Sequence, residues 1–130
     1  EVQALRDYGY NVGMAFQVRD DLLDFEGNPS DLGKPVGNDL KNGVLTLPTI
    51  MLMDRYPNDN LVKALFEDRT NDAKLQKVVE VINNSSIMFD CEKIVETYID
   101  KACRSLEKLP DCEPKQSLLE LADYLTARRR

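Results

Sequence analysis

Asp20-Asp21-Leu22-Leu23-Asp24 places three carboxylates within five residues of a segment, Glu1 to Phe25, whose apolar residues recur at helical spacing. At about 100° per residue, Gly13, Gln17, Asp20, Asp21 and Asp24 share an arc roughly 100° wide. Val12, Ala15, Phe16, Leu22 and Leu23 share another side, the expected core face. The acidic grouping runs against local preference. Asp20 and Asp24 are like charges at i,i+4, unfavourable by about 0.2–0.5 kcal/mol. They stand near a helix C-terminus, where cations are preferred, and Asp is a poor interior helix former. A bound cation would offset all three costs. Oxygen donors without imidazole or thiolate suit Mg²⁺ or Mn²⁺ better than zinc. A solvated acidic helix end is the competing reading, and the commoner one for an arbitrary DDxxD. An EF-hand is excluded by spacing. Counting from Asp20 puts Phe25 at the obligatory Gly position, and counting from Asp24 puts Pro29 there.

The following segment strengthens the metal reading. Leu32-Gly33-Lys34-Pro35-Val36-Gly37-Asn38-Asp39 combines glycines, which permit close backbone approach, with a lysine that can meet an anion. It is not a P-loop, because GxxxxGK[ST] is absent. A lone Lys34 would more often be a surface lysine. Just after a carboxylate strip it can grip a metal-bound diphosphate.

Composition narrows the chemistry further. The chain contains no histidine, which rules out within it Ser-His-Asp and Cys-His hydrolysis, HExxH zinc sites and imidazole acid–base catalysis. Its formal charge of −6 argues against nucleic-acid binding, which needs a basic face. Cys91, Cys103 and Cys112 form no CxxC pair and leave an odd thiol, as expected of a reduced, cytoplasmic chain. No run approaches the roughly 18 apolar residues of a membrane span, and no signal peptide opens the sequence.

The elements that position these residues read as helices throughout. After the first, Gly27 to Asp39 concentrates loop formers. A second helix carries Leu45, Leu47, Ile50, Met51 and Leu52, with Thr46 as cap and Pro48 in its first turn. Asn58 or Asp59 can cap a short helix bearing Leu61, Leu65 and Phe66. Another runs over Leu75, Val78, Val79 and Ile82 to Asn83-Asn84. A long pattern from Ser85-Ser86 repeats through Ile87, Cys91, Val95, Ile99, Leu106 and Leu109 to Pro110. Pro114 opens a last helix through Leu125. The expected class is all-α, an antiparallel helical bundle in one domain. Arg19 falls beside the apolar face and calls for an acidic partner on a neighbouring helix.

Gly13-Met-Ala-Phe-Gln17-Val-Arg-Asp20-Asp21-Leu-Leu-Asp24-Phe, then Leu-Gly33-Lys34-Pro-Val-Gly-Asn-Asp39-Leu, then Leu45-Thr-Leu-Pro48 resembles the trans-type polyprenyl diphosphate synthases. The likeness is to their second aspartate-rich motif and the glycine–lysine and Thr-Leu-Pro segments after it. Leu121-Ala122-Asp123-Tyr124-Leu125 and Arg128 to Arg130 resemble the family's C-terminal end. The resemblance implies an isoprenoid-synthase-type bundle and Mg²⁺-dependent joining of isopentenyl diphosphate to an allylic diphosphate, with release of pyrophosphate. It implies Asp20, Asp21 and Asp24 as metal ligands, Gln17 in support, Lys34 on the diphosphate and Asp39 ordering metal-bound water. Asp20, Asp21 and Lys34 would be the catalytic groups, and Gln17, Lys34 and Asp39 the substrate-binding ones.

Two departures qualify the pattern. Many members carry Lys after the glycine of the Gly-Lys-x-Thr-Leu-Pro segment, where Val44 follows Gly43 here. The family's first aspartate-rich motif and its upstream basic residues are absent. Residues 1–130 are therefore expected to be the C-terminal portion of a single larger helical domain, inactive alone, from a parent that is a homodimer by family default. A terpene-synthase-like activity and a noncatalytic helical regulatory subunit are the alternatives. Asp-Asp-Leu-Leu-Asp favours the elongating branch over the former.

Overall fold

The computed structural model describes residues 2–26, 36–58 and 61–127, the side chains of 126 and 127 excepted. The described residues form seven helices and no strand. These are α1 (Val2–Glu26), α2 (Asn38–Lys41), α3 (Leu47–Arg55), α4 (Leu61–Glu67), α5 (Asp72–Asn84), α6 (Ile87–Ser105) and α7 (Glu113–Ala127). Among them no helix is long and apolar enough to cross a membrane. The chain divides into two compact units, Glu1–Asp20 with Glu92–Arg130, and Asp21–Cys91.

The first unit holds most of α1, the greater part of α6, and α7. Its core takes Tyr8, Ala15 and Val18 from α1, then Val95, Ile99, Ala102 and Leu106 at alternating steps of four and three. Ala122 and Leu125 complete it from α7. The Tyr8 hydroxyl donates to the Leu118 carbonyl at 2.6 Å, so a buried phenol finds the acceptor it requires. Helix α6 ends at Ser105, before Pro110. Leu106, Glu107 and Leu109 continue through N–H bonds to the third residue back, a tightened terminal turn.

The buried face of α1 differs from the expected one. Tyr8, Ala15, Val18, Arg19, Leu22 and Phe25 are buried, whereas Phe16 is 45% and Leu23 38% exposed. The helix carries apolar residues on two adjacent flanks, and packing selects the flank that bears Tyr8 and Phe25. Arg19 lies at the edge of that flank, 2% exposed, and its Nε and Nη1 have no hydrogen-bond partner. Among the described residues the expected acidic partner is not found.

The second unit is built around α5. Leu75, Val78, Val79 and Ile82 form its buried stripe, and α3 and α4 both pack on it. The Asn71 side chain caps α5 by accepting from the Lys74 N–H at 3.1 Å. Thr46 stands at the N-cap of α3 with Pro48 in the first turn, as expected, but its hydroxyl makes no capping bond and is buried without a partner among the described residues. Arg55, in the last turn of α3, pairs with Asp90 in the first turn of α6 and donates to Ser86 Oγ at 3.0 Å. Of the capping residues proposed for α4, Asp59 lies outside the described residues.

Helix α2 falls at the end of the stretch expected to be loop. One turn long, it starts from Gly37 in the left-handed region, φ 79°. A Cβ there would stand 2.9 Å from Val79 Cγ2 and 3.3 Å from Leu75 Cδ1, both buried on α5. Gly37→Ala is therefore expected to destabilise the fold by about 1–3 kcal/mol in urea unfolding, from strain plus overpacking. Arg19→Met should act in the opposite direction. Removing a guanidinium whose buried Nε and Nη1 have no partner among the described residues is expected to stabilise by about 1–3 kcal/mol, and a lower unfolding midpoint would contradict the burial cost assigned to it.

Candidate functional site

The C-terminal end of α1 and the turn into α2 meet at Asp24. Its Oδ1 accepts the Asn38 N–H at 3.0 Å, and its Oδ2 accepts the Asp39 N–H at 3.1 Å. Its own carbonyl accepts the Gly37 N–H at 2.9 Å. The left-handed Gly37 lets three successive N–H groups engage one residue. The far side of the turn is held too, with the Val44 N–H donating to the Asp39 carbonyl at 2.8 Å.

This junction gathers Asp21, Asp24 and Asp39 in the second unit, each partly buried. Burial raises the Asp24 carboxyl above its ordinary value of 3.8, and the charges of Asp39 and Asp21 push it the same way. The N–H bonds from Asp39 and Asn38 pull against that rise. Asp20 and Gln17 lie upstream on the same helix, both exposed. Gly33 and Lys34, and the Arg128 to Arg130 tail, lie outside the described residues.

Among the described residues, no group of three or more His, Cys, Asp or Glu side chains is arranged to hold a metal ion. The donors that are present are carboxylate oxygens, which suit Mg²⁺ in its usual mode of one or two protein carboxylates completed by water and phosphate. The residues fit that ion.

Two features escaped sequence reasoning. The engagement of Asp24 with the α2 turn joins residues 14 and 15 positions apart, and no periodicity encodes it. Its only sequence signal is an Asp near a helix end followed later by Gly-Asn-Asp. Arg69 brings a guanidinium against Gly43, next to the Val44 position that lacks a lysine.

The polyprenyl synthetase sequence profile matches residues 1–82, which include every residue proposed for the site. The chain belongs to the polyprenyl synthetase family. It is 35% identical over 127 residues to heptaprenyl diphosphate synthase component 2 of Bacillus subtilis, covering 98% of this chain and 36% of that one. The heptaprenyl diphosphate synthase structure from Staphylococcus aureus superposes with a TM-score of 0.89 at 33% identity, over 99% of this chain and 41% of that one. A polyprenyl synthase from Caulobacter crescentus, in complex with calcium and isoprenyl diphosphate, gives a TM-score of 0.81 at 34% identity, over 98% and 40%. This family member thus spans about two fifths of the length of these relatives. Its all-helical architecture is theirs over that part.

Asp24 is expected to titrate above 3.8. Between the ordinary and the raised value the folded chain binds the proton more tightly than the unfolded chain. Stability from this group therefore falls as pH rises through that interval, and Asp24→Asn removes the slope. Carboxyl ¹³C NMR titration checks it. A midpoint at or below 3.8 would show that the two N–H bonds outweigh burial.

Proposed function

We propose that this chain supplies the second aspartate-rich part of a Mg²⁺-dependent prenyltransferase, in which isopentenyl diphosphate condenses with an allylic diphosphate and pyrophosphate leaves. One observation carries the reading. The family match over residues 1–82 contains the Gly13-to-Pro48 motif series in order, and the fold gathers Asp21, Asp24 and Asp39 within it. The Caulobacter relative, in complex with calcium and isoprenyl diphosphate, supports a divalent cation and a prenyl diphosphate as ligands.

In this reading Asp20 and Asp21 face the cation, and Asp24, whose two oxygens accept backbone N–H groups, stands beside them on the same strip. When bound, Mg²⁺ supplies Lewis-acid stabilisation of the negative charge that develops on the departing pyrophosphate. Asp20 is exposed, and among the described residues it has neither hydrogen bond nor ion pair, so its oxygens are available. Gln17, one turn upstream, is a neutral polar group for the same strip. Lys34 binds the diphosphate by charge, and Asp39 orients water as an acceptor. The absence of histidine suits a reaction driven by carboxylates and a cation rather than imidazole proton transfer. The same reading takes the parent as a cytoplasmic homodimer.

The test is elongation by the native-length protein that carries this chain, with Mg²⁺, isopentenyl diphosphate and an allylic diphosphate. A longer prenyl diphosphate is expected, and Asp20→Ala or Asp21→Ala should each lower kcat by about a hundredfold or more, the scale of losing transition-state charge stabilisation. Release of a hydrocarbon would assign the chain to the terpene synthase branch instead. Unchanged rates in both variants would overturn the metal role.

A further inference from the structure

The carboxylates of α1 are restrained differently. Asp20 is exposed and without a partner among the described residues, whereas both oxygens of Asp24 already accept backbone N–H groups. We propose that Asp24 is a positioning residue: it clamps the Gly37–Asp39 turn against the end of α1 and so keeps Asp39 at the acidic strip. The inference rests on the reading of Asp21 and Asp39 as groups that face a cation-bound diphosphate.

Three links between the same two segments carry the argument. Asp24 joins Asn38 and Asp39 through its side chain and Gly37 through its carbonyl, across separations of up to 15 residues. Closing a connection of that length costs chain entropy, and a clustered set of bonds at its base is the local means of offsetting it. Each oxygen accepts a different N–H, Oδ1 from Asn38 and Oδ2 from Asp39, so the carboxylate is fixed in rotation as well as in place. Turning it to present both oxygens to a cation would release N–H groups at the start of α2, which have no carbonyl partner within the helix. Gly37 contributes the backbone geometry. Its left-handed conformation and its close seat on Val79 and Leu75 fix where the turn starts, and the Asn38 and Asp39 N–H groups that follow reach the carboxylate. Asp39 follows directly, because its own N–H is one of the three donors.

The test compares Asp24→Asn, Asp24→Ala and Asp21→Asn in the native-length protein. It reads amide hydrogen exchange over residues 36–42 and the dissociation constant for Mg²⁺ with inorganic pyrophosphate. Asparagine keeps one acceptor oxygen with little change in volume, so it decides the matter if the alanine variant fails to fold. Asp24→Asn is expected to speed exchange in this segment about tenfold and to weaken Mg²⁺–pyrophosphate binding about tenfold, with the rest of the exchange map unchanged. Asp21→Asn should weaken binding at least as much and leave the exchange of 36–42 as it was. Unchanged exchange in Asp24→Asn overturns the clamp. Faster exchange with unaltered binding, while Asp21→Asn loses binding, overturns its positioning role and leaves a purely structural bond. If neither Asp21→Asn nor Asp24→Asn changes binding, the assignment of the diphosphate site itself fails, an outcome distinct from failure of the clamp.

Discussion

Three successive N–H groups, from Gly37, Asn38 and Asp39, converge on Asp24, and the arrangement of the acidic strip depends on that junction. A carboxylate at the end of α1 faces the negative pole of the helix, where it is disfavoured. The same carboxylate at the start of α2 meets backbone donors that lack helical partners, where it is favoured. Asp24 belongs to both ends at once. Hydrogen bonds to a charged group contribute about 1.5–3 kcal/mol each, against about 0.2–0.5 kcal/mol for i,i+4 repulsion from Asp20. The internal donors outweigh the repulsion by themselves. Burial still raises the Asp24 carboxyl above its ordinary value, so the donors offset the repulsion and only part of the burial cost, and Asp20 is the member of the strip with no such donors among the described residues.

The junction is supported from below. Gly37 seats on Leu75 and Val79 of α5, and α5 is fixed by its Asn71 cap and by packing from α3 and α4. Asn83, near the end of the same helix, donates to the Phe25 carbonyl at 3.1 Å, one residue beyond Asp24. Helix α5 therefore meets both sides of the turn, through apolar contact at Gly37 and a polar bond at Phe25. A helix with no proposed site residue sets the separation of two segments that have them.

The helices were legible in the sequence because their apolar residues repeat at three and four, and six of the seven lie where that spacing and the prolines put them. Helix α2 was not legible. One turn without an apolar stripe carries no periodicity, and its start depends on Gly37 and Asp24 rather than on its own residues. The α1 core face was misread for a different reason. Phase alone cannot choose between two adjacent apolar flanks, and the Tyr8 bond to Leu118 lies 110 residues away in sequence. The capping role of Thr46 was half legible: the position is right, yet the hydroxyl is buried without a partner among the described residues. Residue type and helical phase put the three carboxylates on one arc of α1. The distinct environments of Asp20, Asp21 and Asp24 came only from tertiary contacts.

That difference in environment bears on why a DDxxD strip is suited to a labile cation. Three identically exposed carboxylates would repel one another equally and compete for the same ion. Here Asp24 is committed to α2 and held above its ordinary pKa by burial, while Asp20 stands exposed at the other end of the strip. Fewer fully available carboxylates leave a proposed Mg²⁺ with more positions for water and phosphate, the coordination this ion prefers. A closed cage would hold the metal without substrate. In the function proposed above, a strip with one clamped member would make the diphosphate itself part of the binding site, so that affinity for the cation would rise when the group about to leave is in place.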